Sequence, residues 1–516
     1  MDPGEAVPTA RPGRPSPVRL RLLILAGLGI VVWYLGWWFE DNRVASPWLV
    51  AGLLAAAVYH WCQLLLAWLL YARACRRPDP PPPSRALSVD VFVCACGEDP
   101  ALVLDTLAAA VRMRGPHRTW LLDDSRDPRL ARGAAELGAG YLTREGNRDA
   151  KAGNVNEALK RTRGDILVLF DADHRPEPAF LERSLGWFRN PEVGFVQVML
   201  DFSNEDESAV ARGSAGSAED FYAATSMGMD RLGCATLVGS NALIRRSALE
   251  SIGGYRPGLA EDLCTSVHLH AAGWKSVYVA EPLAPGLTPA ELPTWFRQQL
   301  KWSRGVFEVL LRDLPRLWRR LRPGQRLSYL VRCTYYWVGL LVAVHLLFSI
   351  LYLLAGERVA TLRLEGYYGR FLALLGITVL IRQEALRVHG ARRRWRLRPE
   401  PFLLVAATWP VYLAGWLLAL LRVPVGWKPT LAVRGQGPRL LSLLPQGVVL
   451  GLLLAGIVWS LGFDPMPAHR GMIPFALAQT SAEAFLIVLA LRERRRAAAR
   501  VHALPSGPSG FLPRAA

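Results

Sequence analysis

Two carboxylates separated by one residue follow an apolar run near the middle of the chain. They are Asp171 and Asp173, directly after Ile166–Phe170. Side chains two residues apart in an extended segment point to the same side, so both carboxylates can face one ligand. Oxygen ligands beside phosphates suit Mg²⁺ or Mn²⁺, and such an ion would neutralise a departing nucleoside diphosphate. The alternative for this Asp-x-Asp motif is a solvated turn.

A second acidic pair, Asp123 and Asp124, follows the short apolar run Trp120–Leu122. The pair could accept hydrogen bonds from a nucleobase and a ribose, or it could cap a turn. Lys151 begins a predicted helix that continues to Lys160. A cation at a helix N-terminus could face a phosphate, and a surface lysine is the other interpretation.

Two further motifs offer groups for acid–base chemistry and for sugar binding. Glu261-Asp262 precedes a predicted helix, where an acid either caps the helix or removes a proton from an acceptor hydroxyl. Gln298-x-x-Lys301-Trp302 lies on an amphipathic stretch rich in Arg and Trp. Trp302 could offer an apolar face to a sugar ring, with Lys301 near a diphosphate. The alternative for the tryptophan is anchoring at a membrane interface.

The elements that would position these groups alternate between strands and helices over residues 88–283. Val89–Val93, Trp120–Leu122 and Ile166–Phe170 are predicted strands, and Leu102–Met113 is a predicted helix. The alternation predicts an α/β domain with a parallel, doubly wound sheet. In such sheets ligands bind at the carboxyl ends of the strands, which is where the two acidic pairs lie.

Long apolar runs flank this domain and predict a membrane protein. Of the 516 residues, 51% are hydrophobic, and each run is about long enough to cross a hydrocarbon core of roughly 30 Å. The runs are Leu22–Phe39, Pro47–Ala72, Cys333–Gly356, Leu440–Phe463 and Met472–Leu491. The positive-inside rule places the six arginines of residues 387–398 in the cytosol. Residues 366–386 are therefore interpreted as a returning span, and residues 401–421 as an interfacial or re-entrant element.

The formal charge of +18 is explained by arginines that gather beside the apolar runs. The positive-inside rule then places both termini and the central domain in the cytosol, with the runs in the plasma or inner membrane. Anionic lipid headgroups or an acidic substrate could add to this bias. No nucleic-acid recognition motif accompanies the charge, so no nucleic-acid partner is expected.

In their order, these motifs resemble processive glycosyltransferase family 2, most closely its bacterial cellulose synthase catalytic subunits. The resemblance runs from Val89 to about Leu311. The motifs that carry it are Val89–Val93, Lys151–Asn154, Phe170–His174, Gly239-Ser240, Glu261-Asp262, Gly273–Ser276 and Gln298-x-x-Lys301-Trp302. The resemblance implies a GT-A fold, a doubly wound and Rossmann-like α/β domain in the cytosol, inserted between α-helical transmembrane segments.

The resemblance also implies a role for each motif residue. Asp262 would be the base of an inverting, single-displacement transfer, and Asp171 and Asp173 would bind Mg²⁺ or Mn²⁺. The other residues would contact the substrates: Asp123 and Asp124 the uridine of a UDP-sugar, Lys151, Asp171 and His174 its diphosphate, and Glu261, Gln298, Lys301 and Trp302 the acceptor side, where a membrane channel begins.

On this interpretation the chain has seven segments. They are a cytosolic tail (1–17), two transmembrane helices (18–75), a proline-rich linker (76–87), the GT-A domain (88–287), interfacial amphipathic helices (288–325), a C-terminal membrane region of about four spans (326–491) and a cytosolic tail (492–516). The membrane region includes a gating-like loop near 422–439, where Trp427–Thr430 and Val433–Gly435 are similar to the gating loop of cellulose synthases. The short last tail leaves no room for a PilZ domain, so regulation by cyclic di-GMP within the chain is not expected.

Three positions depart from the family pattern. Ala260 stands where the family has a threonine before the acidic pair, and Cys96–Glu98 stands for its Tyr-Asn-Glu. Lys301 stands for an arginine, which removes bidentate recognition of a phosphate.

The sequence therefore predicts a processive synthase that extends a β-linked polysaccharide acceptor from a UDP-sugar, with UDP-glucose as the first choice, and exports the product through its own membrane channel. The partner that would receive the polymer is unknown. A non-processive family member that adds one sugar to a lipid acceptor is the alternative. A non-catalytic transporter or scaffold is less favoured, because both Asp173 and Asp262 are present.

Overall fold

The computed structural model describes residues 17–503 except 42, 45, 84–86, 358–359, 362–363, 391–397, 427–436 and 464–466. The two gating-loop motifs predicted above, Trp427–Thr430 and Val433–Gly435, lie outside the described residues. The same holds for most of the arginines in residues 387–398.

A seven-stranded sheet forms the centre of the α/β domain. Its strands are β2 (Val89–Ala95), β3 (Arg118–Asp123), β4 (Gly140–Leu142), β5 (Ile166–Asp171), β6 (Val193–Val198), β7 (Ala242–Arg245) and β8 (Lys275–Val279), while β1 (Arg43–Val44) and β9 (Ala360–Thr361) pair separately. Across the sheet the order is β4-β3-β2-β5-β7-β6-β8. The α/β prediction is confirmed.

One strand runs against the others. β7 is antiparallel to both β5 and β6, so the prediction of a parallel sheet is wrong at this strand. A four-residue apolar run has no local signal that separates the two directions. The reversal matters for the site, because it brings the residues before β7 to the edge at which β5 ends.

Helices cover both faces of the sheet. They are α3 (Pro100–Val111), α4 (Pro128–Glu136), α5 (Ala150–Arg161), α6 (Phe180–Ser184), α7 (Ala209–Asp220), α8 (Ser226–Arg231), α9 (Arg246–Ser251) and α10 (Glu261–Ala271), with a π-helix at Phe221–Thr225. Successive strand residues face opposite sides. Val91 of β2 packs in one core with Val103 of α3, and its neighbour Phe92 packs in another with Val155 of α5.

The remaining helices form the membrane region and its junction with the α/β domain. They are α1 (Val18–Asp41), α2 (Pro47–Arg73), α11 (Leu292–Glu308), a π-helix (Val309–Asp313), α12 (Leu314–Leu317), α13 (Pro323–Thr334), α14 (Val338–Ala355), α15 (Leu364–His389), α16 (Glu400–Ala407), α17 (Trp409–Leu420), α18 (Leu444–Gly462) and α19 (Ile473–Ala503).

Five helical stretches of the described chain are long and apolar enough to cross a membrane. They are Val18–Phe39, Pro47–Arg73, Pro323–Ala355, Leu440–Gly462 and Arg470–Ala498, and the bent pair α16–α17 would make a sixth. The chain is therefore a multi-span membrane protein. Helix α15, interpreted above as a returning span, is not among the five and carries Arg370, Arg382 and Arg387. Its path, the domain boundaries and the orientation of the chain stay predictions.

The break between α16 and α17 is held by side chains from three other helices. The two helices meet at 44°, the geometry of either a broken span or the re-entrant element predicted at residues 401–421. Trp295 Nε1 donates to Thr408 Oγ1 at 2.9 Å, Gln446 Nε2 donates to the Ala407 carbonyl at 3.1 Å, and Trp409 Nε1 donates to Glu483 Oε1 at 3.1 Å. Backbone groups freed in a membrane helix need such partners.

The α/β domain docks directly on the first membrane helices. Gly228 of α8 lies so close to α2 that a Cβ there would be 2.8 Å from the Leu70 carbonyl carbon. Arg382 of α15 donates to the half-buried carboxylate of Asp220 at 2.6 Å, and Arg77 pairs with Asp230 at 2.7 Å. These contacts fix the membrane helices against the edge of the sheet that carries the candidate site.

Candidate active site

A cavity of about 620 Å³ opens at the carboxyl ends of β2 and β5 and continues between the membrane helices α2 and α14. Ten of the eleven residues predicted from the sequence line it: Asp124, Lys151, Asp171, Asp173, His174, Glu261, Asp262, Gln298, Lys301 and Trp302. They come from two strand ends, three helices and their adjoining loops. The structure thus brings together motifs that lie up to about 180 residues apart, while the role of each residue stays a prediction.

Lys151 and Asp171 form an ion pair in the wall of this cavity, with side chains 11% and 40% exposed. Lys151 lies in the first turn of α5, and its Nζ contacts Asp171 Oδ1 and donates to the Gly239 carbonyl at 2.6 Å. Burial raises the pKa of Asp171, but the charges of Lys151, His174 and Lys301 together outweigh burial, and the pKa ends below its ordinary value. The charged pair therefore persists at neutral pH.

Asp171, Asp173 and His174 form the group in this cavity that could hold a metal ion, since one ligand atom from each lies within 4.8 Å of the others. Asp173 Oδ1 is 3.1 Å from His174 Nδ1, and Asp173 Oδ2 accepts from the Leu287 amide at 3.3 Å. His174 Nε2 is buried without a partner. Two hard carboxylates at the mouth of a cavity fit Mg²⁺ or Mn²⁺, which complete their coordination with water and substrate phosphates.

Asp262 and Glu261 begin α10, where the helix dipole favours acids. Asp262 Oδ1 accepts from the Leu263 amide at 2.7 Å. Burial raises the pKa of Asp262, and burial together with the Asp262 charge raises the pKa of Glu261 to about 7. Lys301 is the cation that most opposes this rise at Glu261. A buried carboxylate with a raised pKa beside a substrate-sized cavity is suited to accept a proton.

Asp124 lies in the cavity wall with both its oxygens already paired. Arg144 Nε and Nη2 donate to the two oxygens at 2.7 and 2.8 Å, and the side chains are 10% and 3% exposed. Arg144 also donates to the Ala150 carbonyl at 2.8 Å, which ties the pair to the start of α5. No sequence pattern pointed to Arg144, because its partner lies 20 residues earlier on a different element.

Asp123 does not reach the cavity. Its carboxylate is fully buried and accepts from the Ser125 amide and hydroxyl, the Asp127 amide and the Tyr141 hydroxyl. These four bonds hold the turn after β3, which is the turn-capping alternative left open above. Alternation along β3 turns this side chain away from Asp124, so the contact between Asp123 and a uridine stays a prediction that the lining of this cavity does not support.

Replacing Arg144 by Met is expected to lower the stability of the fold, because it leaves the carboxylate of Asp124 buried without a partner. Removing one member of a buried pair costs about 3–5 kcal/mol. Thermal unfolding of the purified protein in detergent would measure the loss. The control is Arg148→Met, since the Arg148 side chain is 96% exposed and 4.0 Å from its nearest acid. Equal melting temperatures for the two variants would contradict this account.

Helix α11 carries Gln298, Lys301 and Trp302 along the cavity wall. Gln298 Oε1 is buried and has no hydrogen-bond partner among the described residues, so it is an acceptor available to a ligand. The helix lies close to the loop before α10 because residue 305 is a glycine. A Cβ at Gly305 would be 2.7 Å from the Ala260 amide nitrogen.

Substituting Ala for Gly305 is therefore expected to push α11 away from the loop that carries Glu261 and Asp262. A misplacement of about 1 Å can reduce turnover by up to about 100-fold, although alanine is the better helix former. Turnover of the labelled donor proposed below would report the effect. Gly376→Ala is the matched control, since a Cβ on that helical glycine meets nothing within 4 Å. Unchanged turnover in Gly305→Ala would show that the close approach is dispensable.

The membrane side of the cavity contains polar residues that the sequence analysis did not single out. Tyr59, Gln63 and Tyr336 line it together with Arg332, a charged residue directly before the apolar run that begins at Cys333. Tyr59 and Gln63 of α2 donate to the backbone and side chain of Thr334 at 3.0 and 2.7 Å. The signal for Arg332 was present in the sequence, as a lone cation at the start of a membrane span.

Known protein families match this chain over the regions that build the site. Residues 85–305 match the family described as "Glycosyltransferase like family 2", and residues 221–436 match the family described as "Cellulose synthase". Cellulose synthase 1 of Komagataeibacter xylinus is 34% identical over 340 residues, which is 63% of this chain and 22% of that protein. The UDP-forming cellulose synthase catalytic subunit of Pseudomonas fluorescens SBW25 is 32% identical over 364 residues, 67% of this chain and 49% of that protein.

The matched region thus accounts for less than half the length of these two relatives. Among solved structures, the mannosyltransferase PcManGT from Pyrobaculum calidifontis in complex with GDP-mannose and Mn²⁺ has a TM-score of 0.50 and 16% identity, and the alignment covers 73% of this chain and all of that one. This likeness confirms the GT-A-like fold. With both family matches in the expected order, the chain contains a glycosyltransferase family 2 domain that continues into a cellulose synthase domain.

Proposed function

We propose that this protein is an inverting membrane glycosyltransferase that transfers a sugar from a UDP-sugar to a growing β-linked polysaccharide. UDP-glucose is the favoured donor. The observation that carries the proposal is the continuous cavity, which joins the acidic strand ends of the α/β domain to a passage between α2 and α14. A donor at the strand ends and a polymer among the membrane helices could occupy it together.

The transfer is a single displacement at the anomeric carbon. Asp262 accepts the proton of an acceptor hydroxyl, whose oxygen attacks C1 of the donor sugar. The bond between C1 and the diphosphate oxygen breaks, and UDP leaves with the electron pair, so an α-linked donor yields a β-linkage. Lys151 lies at the phosphate end of the cavity, where its charge stabilises the departing diphosphate.

Asp171 and Asp173 are proposed to hold Mg²⁺ or Mn²⁺. The ion would supply positive charge to the leaving diphosphate. His174 lies against Asp173 and fixes the orientation of that carboxylate. Asp124, held by Arg144, is proposed to accept a hydrogen bond from the uridine through a lone pair that the arginine leaves open.

The acceptor end is proposed to lie beside Gln298 and Trp302, on the membrane side of the base. Aromatic side chains dominate this part of the cavity, among them Trp295, Trp302, Tyr336 and Tyr412, and their flat apolar faces suit pyranose rings. The arginine-rich junctions favour a cytosolic α/β domain in the plasma or inner membrane. The UDP-forming activity in the name of the Pseudomonas relative supports UDP-sugar as the donor.

A second candidate function is the transfer of one sugar to a lipid acceptor. The lysine at position 301, where the family has an arginine, favours this alternative over the polymer, since it alters the motif that borders the acceptor. A lipid could reach the site through the same opening between the membrane helices.

The experiment uses the full chain in membranes with radiolabelled UDP-glucose, UDP-N-acetylglucosamine, UDP-galactose or UDP-glucuronate, each with Mg²⁺, Mn²⁺ or EDTA. High-mass labelled product from UDP-glucose, absent with EDTA, is the expected result. A labelled product that organic solvent extracts would establish the lipid alternative instead. No transfer from any donor with either ion would overturn the proposed function.

A further inference from the structure

Arg332 is a charged residue in the cavity wall, and the proposed transfer assigns no role to it. It lies near the end of α13, half-buried, just before the apolar stretch of α14. Its guanidinium carbon is 4.5 Å from the centroid of the Phe221 ring. Within the described part of the chain it makes no hydrogen bond or ion pair, and its Nε is buried without a partner.

The position of the guanidinium is set by the ring beneath it. Phe221 starts the π-helix Phe221–Thr225, whose first two residues line the cavity together with Arg332. A guanidinium over an aromatic face is stabilised by the ring quadrupole without using its N–H donors. Arg332 is thus held in place while its charge and its donors remain directed to the cavity and its contents.

Three cations line the cavity, Lys151, Lys301 and Arg332, and each of them acts mainly on a different acid. Lys151 is taken by Asp171 and the Gly239 carbonyl. Burial raises the pKa of both Glu261 and Asp262, and the cation that most opposes the rise is Lys301 for Glu261 and Arg332 for Asp262. Among the described contacts, the carboxylate of Asp262 accepts a hydrogen bond only from the neighbouring Leu263 amide.

Among the groups around Asp262, Arg332 is the cation that serves as the counter-charge of this carboxylate. Besides Arg332, they are Glu261, Lys151, Lys301, Tyr222, Tyr255 and Tyr336. Glu261 repels a charge on Asp262, Lys151 is bonded to Asp171, and Lys301 acts more strongly on Glu261 than the other cations do. The tyrosines are neutral at physiological pH. A guanidinium is the cation best suited to the task, because it does not lose its proton on burial.

We infer that Arg332 is a positioning residue for sugar transfer, whose fixed charge keeps the carboxylate of Asp262 ionised while the acceptor is bound in the cavity. The inference rests on the proposed function, in which Asp262 is the base. It assigns to α13 a direct influence on the chemistry, in addition to its place at the membrane junction.

The test is the pH dependence of kcat at saturating donor for the wild type, Arg332→Lys, Arg332→Gln and Arg332→Met. Loss of a nearby opposite charge raises a carboxyl pKa by about one unit or more. The acid limb of the two neutral variants is therefore expected to move up by about one pH unit. At a pH below the shifted limb their kcat should be about tenfold lower than that of the wild type, and at higher pH it should recover. Arg332→Lys is expected to keep the wild-type profile.

Arg326→Gln is the matched control on the same helix. Arg326 also lies over an aromatic ring, that of Trp318 at 5.5 Å, but does not line the cavity. Its profile should coincide with that of the wild type. Both Gln and Met are tested at position 332, so that if one of the two variants fails to fold, the pH profile of the other still tests the inference.

An unchanged acid limb in the neutral variants would overturn the inference. A raised KM for the acceptor with an unchanged limb would do the same and would make Arg332 a contact of the acceptor instead. Failure of the proposed function is distinguishable, since it would appear as transfer that survives Asp262→Asn or as no transfer by the wild type, whatever the variants at position 332 do.

Discussion

Replacing Asp262 by Asn is expected to lower the kcat of sugar transfer by about 10²–10⁴-fold, the range that a positioned general base contributes. The amide has nearly the shape of the carboxylate, and it can keep the acceptor bond from the Leu263 amide at 2.7 Å. It cannot take up the proton of the acceptor hydroxyl. The donor site at Asp171 and Asp173 is left intact, so the KM for the donor should change little.

Initial rates with the labelled donor over pH 5–9 would measure this effect. Because burial raises the pKa of Asp262, wild-type activity should fall as the pH falls through that raised pKa, where the base becomes protonated. The Asp262→Asn variant should be slower than the wild type at every pH, and its rate should no longer fall on the acid side of the profile. Asp105→Asn is the control, as that side chain is 64% exposed on α3. An Asp262→Asn variant with wild-type turnover would exclude Asp262 as the base.

Asp173→Asn is expected to reduce kcat/KM for the donor by about 10²–10³-fold, as found when a group that stabilises developing charge is lost. Asp173 has no cationic side chain bonded to it other than the neighbouring His174 among the described contacts, unlike Asp171, which is paired with Lys151. Of the two carboxylates, that of Asp173 is therefore the more available to bind a divalent ion. Most of the loss should appear in donor binding.

Calorimetric binding of UDP with Mn²⁺, with Mg²⁺ and with EDTA would separate the ion from the protein contacts. For the wild type, tighter binding with either ion than with EDTA is expected, and Asp173→Asn should abolish the difference. Glu250→Gln, on the exposed face of α9, should bind as the wild type does. Binding to Asp173→Asn that still depends on the ion would show that the metal ligands lie elsewhere.

The chemistry-bearing residues were predictable because each stands at a fixed place relative to a regular element. A buried apolar strand followed by Asp171 and Asp173 can only present them at the carboxyl edge of the sheet. The acidic pair at the start of α10 and the Gln298 motif on a helix follow similar local rules. Their family order supplied the roles, and the structure placed ten of these residues around one cavity.

The residues that the sequence analysis missed depend on contacts between distant elements. Arg144 pairs with Asp124 because β3 and the segment before α5 meet. Asp123 lies outside the cavity because its carboxylate is hydrogen-bonded to the turn after β3 and to Tyr141. Neither outcome has a signal in composition or periodicity. The charge of α15 depends on such contacts as well, since Arg382 is paired with Asp220 on another element.

The sequence by itself determined the α/β domain, the flanking apolar spans and the motifs that mark family 2, because strand alternation, span length and strand-end acids are local properties. The tertiary structure decided which groups share the cavity and which neutralise one another. It reversed β7, so that Gly239 accepts from Lys151, and it brought Arg332 into the wall that contains Asp262. Such pairings arise from packing between elements far apart in the chain, and the charge on a buried acid is set by those neighbours.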